Sequence, residues 1–286
     1  ALASCKVLPD PDPDEAPLLS ALRAAGFSAE TLAWDDPRSD FANAQATLLR
    51  ATWNYPERPA DFLAWIERTA ASTRLFNGAE VVRWNAHKRY LLELEEKGIP
   101  IVPTRLVKKG ETTPLAEIAR TRRWVDVVVK PAIGAGSRGT LRATEGGMDR
   151  DDAHLRILVD RGDALVQPYM ASVEEYGERA VVWIDGELTH AVRKARRFMW
   201  DRERVSQAVP IAPDEADLAL RAIAAAPGPL LYARVDVVRD IHGDPRLMEL
   251  ELIEPSLFFA QCADALDRFV RGLTRRLTVG AALARR

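Results

Sequence analysis

Residues 124–144, WVDVVVKPAIGAGSRGTLRAT, set one lysine and three glycines between two stretches that both read as strands. Residues 124–129 are β-branched and aromatic, Lys130-Pro131 closes them, and residues 140–144 alternate weakly before Gly146-Gly147. Gly134, Gly136 and Gly139 therefore fall at a hairpin tip. Their spacing satisfies G-x-G-x-x-G, but a dinucleotide-binding turn needs a helix to open at the last glycine. Thr140-Leu141-Arg142 offers neither a cap nor a 3.6-residue period. No Gly-Lys-Ser/Thr follows, so a Walker A loop is excluded too. What remains is a flexible hairpin whose backbone N–H groups can close over phosphates, with Ser137 and Arg138 adding a hydroxyl and a cation. An ordinary glycine-rich turn fits the same letters.

The charge balance narrows the classes of partner. Forty Lys and Arg stand against 42 Asp and Glu, a net charge of −2 without the broad basic footprint of a nucleic-acid binder. Cys5 and Cys262 are the only cysteines and show no paired Cys/His spacing, so neither a disulfide framework nor a zinc site is expected. A cytoplasmic setting is the expectation. No apolar run reaches membrane-spanning length, so no membrane partner is expected.

The first third alternates in the α/β manner, with strands over 2–8, 28–34 and 46–52 and helices over 15–25 and 59–71. In the second helix Phe62, Trp65, Ile66 and Thr69 share a face. This predicts a parallel-sheet domain over 1–84. A helix over 86–97, stopped by Gly98, opens a second lobe, 85–165, that holds the glycine hairpin and a helix over 149–160. The third lobe, 166–286, follows a strand over 164–167. It holds a hairpin of 180–184 and 187–193 turned by Asp185-Gly186, strands over 232–239 and 246–253, and helices over 213–226 and from 260 onward.

Residues two apart on a strand share a face, so Glu249 and Glu251 point together while Leu250 and Leu252 pack the other way. If His242-Gly243-Asp244 turns this strand back on 232–239, Asp236 joins them. The result is a three-carboxylate oxygen cluster of the kind that holds Mg²⁺ through substrate phosphates. A solvated acidic sheet face gives the same letters, although like charges side by side repel and favour a cation between them. The cationic counterparts are Lys88, Lys130, Arg193 at a strand end, and Arg234, two residues before Asp236 and on its face. Together they can neutralise a triphosphate. The basic run 193–197 otherwise reads as a solvated face or loop.

This order of features resembles the ATP-grasp superfamily over nearly the whole chain: a helix lysine, a strand lysine before a glycine hairpin, a Gln-x-Tyr hinge, then Asp and Glu-x-Glu. Leu165-Val-Gln167-Pro-Tyr169-Met170 and residues 177–187 are similar to prokaryotic glutathione synthetase. Arg50-Ala-Thr-Trp53-Asn54-Tyr55, Trp84-Asn-Ala-His-Lys88 and residues 249–257 are similar to ligases that close a ring from an O-substituted serine. The resemblance implies an α/β ATP-grasp fold with an N-terminal parallel-sheet domain, a central lobe and a C-terminal antiparallel-sheet lobe.

For the site, the resemblance puts Lys88, Lys130 and the hairpin residues Gly134, Gly136, Ser137 and Gly139 on ATP phosphates. It puts the backbone of Gln167, Tyr169 and Met170 on adenine, Glu178 on ribose, and Asp236, Glu249 and Glu251 on Mg²⁺. Arg193 is implied to stabilise an acyl-phosphate and a tetrahedral intermediate, with Arg234 as a second catalytic cation. Arg50, Trp53, Asn54, Tyr55, Glu254 and Ser256 are the expected substrate end. Two departures stand out: Glu251 replaces the asparagine of many relatives, and Glu254 either faces a substrate amine or anchors its loop. The implied activity joins a small-molecule carboxylate to an amine through an acyl-phosphate, using ATP and Mg²⁺. A phosphotransferase and a non-catalytic ATP-binding protein are the alternatives, and relatives are often dimers or tetramers, which leaves room for a homo-oligomer.

Overall fold

The computed structural model describes residues 1–195 and 204–283. The first domain opens with β1 (Leu2–Ser4), α1 (Glu15–Ala24), β2 (Thr31–Ala33) and β3 (Ala46–Ala51). It continues with α2 (Pro59–Ser72), β4 (Arg74–Phe76) and α3 (Ala79–Asn85). Its sheet runs β2-β1-β3-β4, parallel throughout. In α2, proline sits in the first turn, where no N–H is needed. Phe62, Trp65, Ile66 and Thr69 form its buried face, each large apolar side chain contributing ~1.5–3 kcal/mol by leaving water.

The helix expected over 86–97 instead begins at α4 (Tyr90–Glu96). The chain leaves helical geometry between α3 and α4, where the Lys88 N–H donates to the carbonyl of Ala132 at 2.7 Å. The interruption thus belongs to a contact with the glycine hairpin.

The second sheet is built from β5 (Arg105–Val107), β6 (Val127–Pro131), β7 (Leu141–Ala143) and β8 (Ala164–Pro168), in the order β5-β8-β6-β7 and antiparallel throughout. The expected glycine hairpin is β6–β7, with Val127 opposite Ala143 and Val129 opposite Leu141. Two helices, α5 (Leu115–Arg122) and α6 (Met148–Arg161), cover one face. Leu115, Ile118, Leu155 and Val159 meet Val107, Val127, Val129 and Val166 there.

After the short α7 (Ser172–Glu175), the third sheet comprises β9 (Glu178–Ile184), β10 (Glu187–Lys194), β11 (Val205–Val209), β12 (Tyr232–Arg239) and β13 (Pro245–Glu251), with α8 (Pro213–Ala224) before β12 and α9 (Ala263–Leu283) closing the described chain. Its order is β11-β10-β9-β12-β13, antiparallel. Asp185 and Gly186 both take positive φ (46° and 98°), as a two-residue hairpin turn of this hand requires.

Both faces of this sheet are buried. On one, Val181, Ala191, Val235 and Val237 pack against Tyr90, Leu91 and Leu94 of α4 and Leu218 and Ala222 of α8. On the other, Ala180, Val182, Ile184 and Val192 share a core with Phe269 and Leu273 of α9 and with Leu2, Leu18, Leu22, Leu48 and Phe76 of the first domain. Among the described residues no helix is long and apolar enough to cross a membrane.

Candidate active site

A cavity of ≈ 550 Å³ lies between the second and third sheets and extends to the loop of residues 9–14 in the first domain. At one end stand Lys88 and Lys130, 7% and 8% exposed. The Lys88 ammonium lies 2.9 Å from Glu249 Oε1 and donates to the Gly134 carbonyl at 2.7 Å. Burial opposes its charge, yet the Glu249 carboxylate, with Glu251 and Glu254, holds its pKa above the ordinary lysine value. Lys130 has no hydrogen bond or ion pair from its ammonium among the described residues, and burial pushes its pKa down despite Glu249.

The hairpin tip is closed over this end. Gly136, Ser137 and Gly139 take φ of 62°, 59° and 71°, a left-handed path that glycine makes cheap. Ile133 and Ala135 insert against the first-domain core of Trp34, Phe62 and Trp65, Arg138 pairs with Glu57 at 3.0 Å, and the His154 Nε2 lies 2.7 Å from the Gly139 carbonyl. An apolar slot, walled by Val128, Met170, Val173 and Met248, adjoins the backbone of residues 167–170. The Gln167 side chain turns away to donate to Thr104 Oγ1 at 2.9 Å, and the Tyr169 ring lies 3.6 Å from the Arg142 guanidinium.

The turn between β12 and β13 sets Asp236 opposite Glu249 and Arg234 opposite Glu251, so the expected register is present. Asp236 is bound bidentately by Arg234, 2.9 Å at both oxygens, and by Lys194 at 2.9 Å. Burial opposes its charge, but these cations outweigh it and hold its pKa well below the usual carboxylate range. Lys194 also reaches Glu178 at 2.6 Å, and Arg234 pairs with Glu251. Glu249 is likewise held low, by Lys88 and Lys130 against burial. Burial, with Asp236 and Glu249 nearby, pushes Glu251 up to about 7.

The expected three-carboxylate cluster is therefore corrected to an alternating lattice of charges. Among the described residues no three Asp, Glu, His or Cys side chains stand together as a metal cage. Adjacent strands would force like charges together, and Lys88, Lys194 and Arg234 take the intervening places. The donor set still fits Mg²⁺, a hard ion that is commonly held by one or two carboxylates plus substrate phosphates.

Arg193 is a correction of a different kind. It lies opposite Arg179 on the face of β10 away from the cavity, is exposed, and donates to the Glu175 carbonyl. Period two puts its neighbour Lys194, opposite Glu178, into the cavity instead. Lys194 escaped the sequence reading because choosing between adjacent cations requires the strand register. Arg196 and Arg197 of the same basic run lie outside the described residues.

At the substrate end, Trp53, Tyr55, Glu254 and Ser256 line the cavity, whereas Arg50 and Asn54 do not. Asn54 accepts from the Trp34 indole at 2.7 Å and donates to Asp35 at 2.8 Å, which makes it a support for Trp34. Arg50, 2% exposed, lies behind the wall and donates to the Pro255 carbonyl at 3.0 Å. Asp14 was missed: its carboxylate accepts from the N–H groups of Leu257, Phe258 and Phe259 at 2.6, 3.1 and 2.9 Å. An aspartate before a helix reads as a cap, yet this one gives α1 no side-chain cap bond and fastens the distant loop instead.

Two lobes of antiparallel sheet enclosing such a cleft, behind a parallel-sheet domain, make the ATP-grasp fold. The ATP-grasp ligase PsnB, solved with a phosphomimetic variant of its minimal precursor, Mg and ADP, shares it at a TM-score of 0.62 and 18% identity, covering 95% of this chain and 97% of that one. A nearer likeness is the crystal structure of D-cycloserine synthetase DcsG, with a TM-score of 0.88 and 33% identity over 96% of this chain and 98% of that one. The cycloserine biosynthesis protein DcsG of Streptomyces lavendulae is 34% identical over 282 residues, 93% of this chain and 94% of that protein. A family model described as D-cycloserine synthetase DcsG, N-terminal domain, matches residues 1–77. The chain belongs to the DcsG family of ATP-grasp ligases.

Proposed function

We propose that this protein is an ADP-forming ligase that activates the carboxylate of an O-substituted serine, with O-ureidoserine the leading candidate, and joins it to a nitrogen of the same molecule to close a ring. The observation that carries the reading is Lys130: a buried ammonium at the mouth of a glycine hairpin, making no hydrogen bond or ion pair among the described residues, suits a phosphate. The DcsG relative acts in cycloserine biosynthesis, which supports the substrate class.

In this reading Lys88, Lys130 and the hairpin N–H groups hold the triphosphate while a substrate carboxylate oxygen attacks its γ-phosphorus and ADP departs. The resulting acyl-phosphate is a far better electrophile than the carboxylate. A nitrogen attacks its carbonyl carbon, loses a proton, and inorganic phosphate leaves. Lys194 and Arg234 face the cleft and are placed to stabilise the developing negative charge. The closed hairpin limits access of water to the acyl-phosphate. One or two of Asp236, Glu249 and Glu251, together with substrate phosphates, would hold Mg²⁺, which when bound would screen the phosphate charges; the PsnB structure with Mg and ADP supports this use of the fold.

The test is ADP release by the purified protein with O-ureidoserine, with mass detection of the cyclised product. Lys130→Ala should weaken ATP binding at least ~10-fold. Unaltered nucleotide affinity would remove this lysine from the phosphate site.

A further inference from the structure

Every other acidic side chain deep in the cleft is engaged by a cation: Glu178 and Asp236 by Lys194, Glu249 by Lys88, Glu251 by Arg234. Glu254 is the exception. It lines the same cavity and is 9% exposed, yet no hydrogen-bond donor or ion-pairing cation reaches its carboxylate among the described residues. The charged groups that bear on it are Glu251, Lys88, Glu249 and Arg234, and both cations are already paired with other carboxylates. Burial and then Glu251 push its pKa up to about 8, a state that a cation supplied by a ligand would relieve.

Its loop is held too firmly for the side chain to reach solvent by a small shift. The Trp53 indole donates to the Glu254 carbonyl at 3.1 Å, the Tyr232 hydroxyl to the Ile253 carbonyl at 2.9 Å, and Asp14 holds the three N–H groups that follow Ser256. A single carboxylate with aromatic walls at Trp53 and Tyr55 suits an organic ammonium better than a hard dication, which demands about six oxygens. Resting on the ligase reading above, we propose that Glu254 is the specificity-determining residue of this site, receiving the free α-ammonium group of the amino-acid substrate. Lys130 and Glu254, buried ionisable side chains of one cavity that make no hydrogen bond or ion pair among the described residues, then serve different parts of the ligands, the first a phosphate and the second an amine.

The experiment compares ADP release with O-ureidoserine and with its deamino counterpart, 3-(ureidooxy)propanoate, for the wild type and Glu254→Gln. The readout is the ratio of the two kcat/KM values, which the fraction of folded enzyme does not alter. We expect the wild type to prefer the amino acid by about 100-fold or more and the variant to lose most of that preference, with Glu254→Asp retaining part of it. Equal use of both acids by the wild type overturns the inference and leaves the ligase reading intact, as does a variant whose preference matches the wild type. No ADP release by the wild type with the amino acid overturns the ligase reading, and the inference falls with it.

Discussion

Replacing Asp14 by alanine tests how the substrate end is held. The carboxylate is 1% exposed, accepts three backbone N–H groups from residues 257–259, and faces Arg50 at 3.4 Å, whose side chain is 3% exposed. Truncation leaves three buried donors without their acceptor and a buried guanidinium with only the Pro255 carbonyl. Breaking one side of a buried charged pair costs ~3–5 kcal/mol, and relaxation of the loop recovers part of the remaining hydrogen-bond loss. We therefore expect about 4 kcal/mol, a large share of the ~5–15 kcal/mol that an ordinary domain commands. At ~2–4 °C per kcal/mol, the thermal midpoint should fall by roughly 10 °C. Asp14→Asn, which keeps an acceptor oxygen but not the charge, should lose about half as much. The assay is calorimetric unfolding paired with kinetics: KM for the substrate acid should rise as the loop loosens, while nucleotide affinity holds. A midpoint within about 2 °C of the wild type would refute the reasoning.

Four further outcomes follow from the same geometry. Lys194→Met should lower turnover at least ~100-fold while Arg193→Met stays close to wild type; equal losses would mean that both side chains reach the reacting groups. Glu249→Gln should abolish Mg²⁺-dependent ADP formation with circular dichroism unchanged, and full turnover would sink the metal assignment. Glu251 and Glu254, raised to about 7 and about 8 from an ordinary 4.5, bind more protons in the folded than in the unfolded chain. Their contribution is complete below pH ~4.5 and is lost as pH rises through the raised values, by up to ~1.4 kcal/mol per pH unit for each. The unliganded thermal midpoint should accordingly fall between pH 5 and 8, and Glu254→Gln should flatten the slope; an identical slope would contradict it. In α9, Gly272→Ala should destabilise by ~1–3 kcal/mol despite alanine's better helix propensity, because the new Cβ would stand 2.6 Å from Asp185; a higher melting temperature would show that the contact yields.

What could be read from the letters was local. The β6–β7 hairpin and the Asp236–Glu249 register follow from period two and from turn residues a few positions away. The sheet order around β12 did not need to be seen for the acidic residues to be paired. By contrast, the break before α4 depends on the Ala132 carbonyl, 44 residues beyond Lys88. Arg193 and Lys194 differ by one step along a strand, so an error of one residue reverses which of them enters the cleft. Trp53-Asn54-Tyr55 looked like one substrate motif, but Asn54 points to Trp34 while its two neighbours line the cavity. Asp14 carried the signal of a helix cap, and nothing near it in sequence announced a partner 243 positions away.

The apolar face shared by the first parallel sheet and α9 also bears on how the chain is made. Leu18, Leu22, Leu48 and Phe76 share a core with Phe258 and Phe269, which emerge from the ribosome roughly 180 residues after Phe76. At ~5–20 residues per second the nascent first domain waits on the order of 10–35 s with that face uncovered. The first parallel sheet thus waits for much of the later chain before its core is complete. Slowing elongation should lengthen its exposure to chaperones and proteases, while co-expression of residues 1–84 with the remainder should reveal whether the late half can complete the early one.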